Sequence, residues 1–335
     1  MRTRRFLQIA AWICGLTAAI APAAESDLLE ELKTLPYRIA YESYQNGNWD
    51  LFLMRADGSG RVNLTQTPNV HELYPHVSPD GGKISFQVDA GEGDNKTRDT
   101  YLMNFDGAGR RLIARASRDA CWTGDGKGLV YLKNEFEKLA LMDYVTKGVF
   151  RRDLASDREE VHPNRELGHL YCPCCIPGGK WLVATVHGGM GISHSIVAIE
   201  VQGTGIVDLK IPGCRPDISA DGKRIAWASS DYSLGAGELD LSGPEPKVVH
   251  IRDLVVSKEP IKVQHVDWSP DGRYVAFSYG GYNKGLGLSP ALCGVQAKGW
   301  NIGVADATTS NRWVAITTDG NSNKEPDWVP VSAPK

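Results

Sequence analysis

Short apolar runs recur along the chain, and each follows a polar turn rich in Asp and Gly. Aromatic and β-branched residues dominate these runs, which is the composition that β-strands favour. The first run after each turn spans Ile84–Gln87, Leu129–Leu132, Trp181–Val186, Arg224–Ala228 and Tyr274–Tyr279. A second predicted strand spans Thr100–Asn104, Lys138–Asp143, Ser193–Glu200, Gly237–Leu241 and Trp300–Ala305. A third spans Arg110–Ile113, Val149–Asp153, Gly205–Leu209, Lys247–His250 and Arg312–Thr317.

One sequence phrase precedes each first run and marks a repeating unit. It places a proline or small residue, a short strand and a tight turn in a fixed order. Copies begin at Pro75, Ala120, Pro173, Pro216 and Val266, and an incomplete copy spans Pro326–Pro330. With the strand in the phrase itself, each unit has four strands. Four-stranded antiparallel units at intervals of about 43 to 60 residues are typical of β-propeller blades.

The two ends of the repeat region complement each other. Three predicted strands, at Tyr37–Glu42, Asp50–Arg55 and Arg61–Thr65, have no inner strand before them. Near the other end, Pro326–Val329 is an inner strand with nothing after it. Joined in one blade, these strands close the ring and leave no open sheet edge at the closure. The sequence therefore predicts an all-β fold, a six-bladed β-propeller.

The repeat phrases also carry a resemblance to a known family. Ser-Pro-Asp-Gly turns are followed by phrases such as Asp50–Gly58 and Thr100–Gly107, which both end in Asp-Gly. Over residues 37–330 the chain resembles the TolB-like family of WD40-like β-propeller repeats. The resemblance implies the fold and leaves function open, because such repeats occur in binding proteins, peptidase gating domains and polysaccharide lyases.

The first residues have the pattern of a secretory signal peptide. Arg2, Arg4 and Arg5 precede an apolar stretch that ends in Ala-Pro-Ala, with cleavage expected after Ala23 or Ala24. An alternative is a lipoprotein attached through Cys14. We expect a signal peptide at 1–23, a linker at 24–36, one propeller at 37–330 and a tail at 331–335. The mature chain is then periplasmic or secreted, without stable membrane insertion.

Composition and charge narrow the classes of partner. The chain carries 37 Lys and Arg against 40 Asp and Glu, a formal net charge of −3. Nucleic-acid binding needs a strongly basic face, so this balance argues against it. The 36 Gly and 18 Pro fit a chain interrupted by many turns. A protein of the cell envelope or a small molecule is the expected partner.

Loop lengths predict which face of the propeller binds. The turns between the first and second strands of each blade are short, as are those between the third and fourth. The connections predicted to be long span Val88–Asp99, Leu154–Tyr171, His187–Ile192, Ile251–His265 and Gly280–Gly299. All of them fall on the opposite face, and long loops often carry binding residues. We therefore expect ligands at the loop-rich face, around the channel mouth.

Two positions of the repeat place polar residues around that mouth. The residues expected to bind a ligand there are Tyr74, His76, Arg215, Asp217, His265, Asp267, Glu325 and Asp327. Imidazole, thiolate and carboxylate groups are also metal ligands. A transition metal held by His76, Cys121, Cys172 and Cys174 is therefore one hypothesis. The simpler interpretation is that the aspartates accept hydrogen bonds from neighbouring backbone amides.

The cysteines allow three interpretations. The six beyond the signal peptide are Cys121, Cys172, Cys174, Cys175, Cys214 and Cys293. An even number in an exported protein favours disulfides, and the equivalent positions Cys121 and Cys174 suggest bonds between blades. A metal cluster that includes His76, His187 or His194 is the second interpretation. A redox-active pair is the third.

Two functions fit these observations. The first is an exported, non-catalytic binding module, since the chain has neither a Gly-x-Ser-x-Gly nor a His-Glu-x-x-His motif. The second is a metal-dependent propeller enzyme, a polysaccharide lyase or hydrolase that uses the His, Asp and Cys side chains of the channel. No cofactor follows with certainty from the sequence.

Overall fold

Six four-stranded antiparallel sheets account for nearly all of the regular structure in the computed structural model, which describes residues 22–137, 142, 144–281 and 299–330. Blade 1 contains β24 (Ser322–Val329), β1 (Arg38–Gln45), β2 (Asn48–Arg55) and β3 (Val62–Asn63). Blade 2 contains β4 (His71–Val77), β5 (Lys83–Ala90), β6 (Thr97–Asn104) and β7 (Arg111–Ala114). Blade 3 contains β8 (Ser117–Trp122), β9 (Gly128–Asn134), β10 (Thr146–Asp153) and β11 (Glu159–Val161).

The other three blades follow the same order from the channel outwards. Blade 4 contains β12 (Leu170–Cys175), β13 (Trp181–Gly189), β14 (Ile192–Glu200) and β15 (Ile206–Asp208). Blade 5 contains β16 (Cys214–Ile218), β17 (Arg224–Ser230), β18 (Ser233–Asp240) and β19 (Lys247–Val256). Blade 6 contains β20 (Ile261–Trp268), β21 (Tyr274–Gly281), β22 (Asn301–Asp306) and β23 (Trp313–Ala315). A short 3₁₀ helix, Gly93–Asn95, lies between β5 and β6.

Strands from opposite ends of the chain close the ring. The C-terminal strand β24 is the inner strand of blade 1 and pairs antiparallel with β1, where Ile39 lies opposite Trp328. Apolar residues of neighbouring blades fill the spaces between the sheets, as Tyr41, Tyr274 and Val314 do at the seam between blades 1 and 6. The predicted six blades and the predicted mode of closure are both confirmed.

Blade 3 departs from the prediction. The segment Lys138–Asp143, predicted as its third strand, falls mostly outside the described residues. The third strand is instead β10, which was predicted as the fourth, and the fourth is β11. The reason is that β11 is short and polar, Glu-Glu-Val, so it lacks the apolar signal by which the other strands were recognised.

Several connections predicted to be long are occupied by strands. Strand β19 extends to Val256, so only residues 257–260 separate it from β20. Strands β13 and β14 continue through His187–Ile192 as a tight hairpin. In Leu154–Tyr171, β11 and the start of β12 occupy part of the segment. The loop-rich face is therefore less elaborate than predicted over the described residues.

The Asp-Gly turns are held by local hydrogen bonds. Asp80 accepts hydrogen bonds from Ser78 Oγ at 2.6 Å and from the Gly82 amide at 2.9 Å. Gly81 follows with φ +71°, and a Cβ on it would lie 2.6 Å from the Pro330 carbonyl oxygen of blade 1. Only glycine fits this conformation and this close approach. The turns thus pack directly against the neighbouring blade.

A helix, α1 (Pro22–Lys33), packs against the closure seam. It covers most of the segment expected to be a linker. Leu28 and Leu32, one helical turn apart, are 0% and 1% exposed and join the apolar cluster between blades 1 and 6. Glu31 accepts hydrogen bonds at 2.6 Å from both Arg312 and Arg273 of blade 6. These contacts attach the helix to the last blade.

Some predictions concern residues outside the described ranges. Most of the predicted signal peptide, the predicted tail at 331–335 and Cys293 are among them. Within the part of the chain that the structure describes, no helix has the length and apolarity needed to cross a membrane.

Candidate binding site at the channel mouth

Every inner strand contains a β-bulge at the same position. The pairing with the second strand shifts register there, for example between Leu73 and His76 in blade 2. The residue at the bulge has a positive φ, between 45° and 56°, in all six blades: Tyr74, Asp119, Cys172, Arg215, His265 and Glu325. A positive φ is uncommon for residues other than glycine. Its occurrence at the same position in all six blades shows that the bulge is a regular feature of the ring.

The bulge turns backbone amides away from their own sheet, and side chains of the preceding blade accept from them. Tyr74 N–H donates to Glu42 Oε2 at 2.9 Å, and Cys172 N–H donates to Asp119 Oδ2 at 3.0 Å. Arg215 N–H donates to Thr185 Oγ1 at 2.9 Å. The bulges therefore join neighbouring blades around the channel.

A second layer of bonds lies two residues further along the inner strands of blades 1, 5 and 6. Asp217 accepts from the Trp268 amide at 2.9 Å, and Asp267 accepts from the Trp328 amide at 2.7 Å. Asp327 accepts from the amide of Val77 at 2.9 Å. Each carboxylate thus bonds the inner strand of the next blade, as the simpler interpretation of these aspartates predicted.

A cavity of about 310 Å³ lies at this end of the channel. All eight predicted ligand-binding residues line it, so the structure brings them together. Its wall also includes residues of the first-to-second-strand turns: Ser78, Pro79, Thr123, Gly124, Pro177, Ala220 and Pro270. In blade 1 the corresponding place is taken by Pro330, which follows β24. Inner strands run towards these turns, so the cavity opens on the short-turn face. The prediction that placed the mouth on the loop-rich face is wrong on this point.

Three carboxyl groups lie close together in the cavity wall. Burial raises the pKa of Asp217 to about 6. Burial, and then the nearby Asp327 and Asp217, raise the pKa of Asp267 well above its usual range. Asp327 lies 3.0 Å from Nδ1 of His76 and raises the pKa of that imidazole although burial opposes this. Asp217 and Asp267 therefore hold their protons to higher pH than ordinary aspartates do.

A charged cluster occupies the layer formed by the bulge residues. Glu325 Oε1 lies 3.0 Å from His265 Nε2 and 3.7 Å from Arg215 Nη1. Burial disfavours the ionised Glu325, but His265 and Arg215 outweigh it and lower the pKa of that carboxyl. Burial also lowers the pKa of His265. Behind this layer, Lys324 lies 3.3 Å from the buried Glu42.

Four cysteines, Cys121, Cys172, Cys174 and Cys175, line one side of the cavity. The Sγ atoms of Cys121 and Cys175, on neighbouring blades, are 3.5 Å apart, beyond the length of a disulfide bond. Cys174 Sγ instead contacts Asp217 Oδ1 at 3.3 Å, and Arg215 Nη1 contacts Cys172 Sγ at 3.3 Å. Cys121 thus lies next to Cys175. The sequence had suggested Cys174 as its partner, because Cys121 and Cys174 occupy equivalent positions in neighbouring blades.

The metal hypothesis receives no geometric support. Among the described residues, no group of three or more His, Cys, Asp or Glu side chains is arranged to hold a metal ion. His76 faces Asp327, whereas Cys121 faces Cys175. His187 and His194 pair with each other at 2.9 Å in the β13–β14 hairpin and do not line the cavity.

The bulge was missed by reasoning from the sequence, although a signal for it was present. Proline follows Tyr74, Cys172, Arg215 and Glu325, directly at the bulge. Proline within a strand is confined to edges, strand starts and bulges. Since these inner strands start several residues earlier, the prolines could have indicated the bulge.

Comparison with solved structures places this arrangement among known folds. The fold is similar to that of TolB from Acinetobacter baumannii, with 17% sequence identity and a TM-score of 0.59, covering 88% of this chain and 67% of that chain. The chain therefore has a TolB-like β-propeller fold. No family model matches its sequence, and no curated protein matches it.

Two other solved structures are similar in fold. A chain of the nidogen/laminin complex is 8% identical with a TM-score of 0.59, covering 89% of this chain and 100% of that chain. Hydrazine synthase from Kuenenia stuttgartiensis is 11% identical with a TM-score of 0.57, covering 93% of this chain and 49% of that chain. At such identities the likeness concerns the fold alone.

Proposed function

We propose that the chain is an exported, non-catalytic binding module that receives a protein or small ligand of the cell envelope in the channel-mouth cavity. The observation that carries the proposal is the cavity itself, to which all six blades contribute. Concave sites with an apolar wall and a few convergent polar groups are the usual places for ligands. Here prolines and tryptophans form much of the wall, and the aspartates and histidines provide the polar groups.

The scaffold around the cavity is suited to binding without rearrangement. Hydrogen bonds between blades hold the inner strands at two layers, through Glu42 and Asp119 in one and Asp217 and Asp267 in the other. Buried hydrogen bonds contribute about 0.5–1.5 kcal/mol each, and more where the acceptor is ionised. A wall fixed in this way loses little conformational entropy when a ligand enters.

Blocking the cavity tests this proposal. Ala220 is an exposed turn residue of the cavity wall, so Ala220→Trp fills the mouth with an indole ring. The matched control is Ala108→Trp, in an exposed turn of the same face that does not line the cavity. In capture experiments from envelope extract, partners retained by the wild type and the control should be lost with Ala220→Trp. Partners retained equally by all three proteins would contradict the proposal.

Export is tested separately. N-terminal sequencing of the protein recovered from the envelope fraction should give a chain that starts at residue 24 or 25, after cleavage at Ala23 or Ala24. An uncleaved chain recovered only from the cytoplasm would contradict the proposed location without affecting the proposed binding site.

A further inference from the structure

Two histidines lie side by side on the face opposite the channel-mouth cavity. His187, near the end of β13, and His194, near the start of β14, are direct cross-strand neighbours in the hairpin that joins these strands. Their Nδ1 atoms are 2.9 Å apart. Opposite residues of an antiparallel pair project to the same side of the sheet, so the hairpin itself brings the two imidazoles together. Neither histidine lines the cavity, and the proposed binding function does not use them.

Contacts with neighbouring segments hold this hairpin in place. The His187 amide donates to the His169 carbonyl oxygen at 3.0 Å, and the ring centroids of Tyr144 and His187 are 4.3 Å apart. The side chain of His169 also faces the hairpin, since its Nδ1 lies 3.2 Å from the Gly188 carbonyl oxygen. Its Nε2 lies 3.1 Å from Glu135 Oε2. Both ring nitrogens of this third histidine are therefore engaged elsewhere.

The separation of the two Nδ1 atoms suits a shared metal ion. In the neutral pair, one Nδ1 carries a proton and donates it to the other. When that proton moves to Nε2 of the same ring, two Nδ1 lone pairs face one another. Metal-bound imidazole nitrogens lie about 2.1 Å from the ion, so two of them at right angles are about 3.0 Å apart. The observed 2.9 Å requires almost no movement of either ring.

The protonation state of the pair also suits metal binding, because only the neutral imidazole is a ligand. Burial, and then the neighbouring His187, lower the pKa of His194. The neutral form of His194 therefore prevails at neutral pH. His194 is exposed and His187 is half-buried, so an ion can reach both from solvent.

We propose that His187 and His194 form a two-histidine site for a divalent first-row transition-metal ion. Imidazole suits Ni²⁺, Cu²⁺ and Zn²⁺. No third His, Cys, Asp or Glu of the described residues joins them in a metal-binding arrangement, so water or a donor group of another molecule would complete the coordination. This site is separate from the His76 and cysteine site that the sequence suggested at the channel mouth.

Titration with Ni²⁺ tests the inference on the full chain, prepared without a polyhistidine tag. Thiolates select softer ions, so the cysteines of the cavity should compete little for Ni²⁺. Calorimetry should show one Ni²⁺ bound per wild-type chain. His187→Gln and His194→Gln should each bind Ni²⁺ at least about tenfold more weakly, because the second ligand of the chelate is lost.

His250→Gln is the matched control. His250 is an exposed histidine of blade 5 that lies 2.9 Å from Glu238, so this variant removes an imidazole away from the site and should keep the wild-type affinity. Wild-type affinity in His187→Gln and His194→Gln, or no binding of Ni²⁺ to the wild type at millimolar concentration, would overturn the inference. Ala220→Trp should lose partner capture and keep Ni²⁺ binding, so a failure of the proposed function can be told from a failure of this site.

Discussion

Helix α1 offers a quantitative test of the closure seam. Leu32 is 1% exposed and lies in the cluster between blades 1 and 6, so Leu32→Ala leaves a cavity among packed side chains. Replacing a fully buried leucine by alanine costs about 2–5 kcal/mol, and we expect about 3 kcal/mol here. Urea denaturation followed by tryptophan fluorescence measures the free energy of unfolding of the variant and the wild type.

The loss in unfolding free energy is limited by the free energy with which helix α1 is docked on the seam. If docking contributes less than the cavity costs, the helix detaches and the loss stops at the docking energy. The double variant Leu28→Ala/Leu32→Ala would then be no less stable than Leu32→Ala alone. Glu30→Ala is the control, because Glu30 is 68% exposed and pairs with Lys33 at the surface, so it should cost less than about 0.5 kcal/mol. A loss below about 1 kcal/mol for Leu32→Ala, outside the range for a buried leucine, would refute the docked position of the helix.

Two further predictions concern the channel mouth. In a glutathione redox buffer, the thiols of Cys121 and Cys175 should each lose a proton and an electron to oxidised glutathione and form a disulfide. Peptide mapping should detect this disulfide in the wild type and not in Cys175→Ser. Because the disulfide closes a long loop, it would stabilise the protein by up to about 4 kcal/mol. The pKa of Asp217 is about 6 in the folded protein, higher than in the unfolded chain. Between pH 4 and 6 the native state therefore binds more protons than the unfolded state. The free energy of unfolding should fall as the pH rises through this window. Asp217→Asn should flatten that part of the unfolding profile, and an unchanged slope would contradict the buried position of the carboxyl.

The repeat made most of the fold predictable from the sequence. Asp-Gly turns and apolar runs identify five complete blades, and the unmatched strands at both ends identify the sixth. The error in blade 3 has a physical reason, since β11 is an edge strand whose polar side chains leave no apolar pattern. Helix α1 was missed because a short helix with few apolar residues owes its stability to the seam on which it docks.

The residues of the site were easier to predict than their location. Equivalence between blades placed Asp217, Asp267 and Asp327 in one ring, as the structure shows. The face was misassigned because inner strands begin earlier than predicted. Strand β20 starts at Ile261, so His265 and Asp267 lie in its later half, near the short turn. Distances within the ring, such as the 3.5 Å between Cys121 and Cys175, depend on the bulge, which changes the direction of side chains by local backbone rotation.

The pairing of β24 with β1 has a consequence for the order of folding. Ser43 and Asn323, hydrogen-bonded at 2.7 Å, are 280 residues apart in the chain. During synthesis β1 emerges long before its partner, so its inner edge stays without this neighbour until β24 has been made. The entropy of closing so large a loop opposes this contact until the intervening blades have formed and shortened the distance. We therefore expect the ring to close late in folding, and until then the unpaired inner edge of β1 would be open to pairing with another chain.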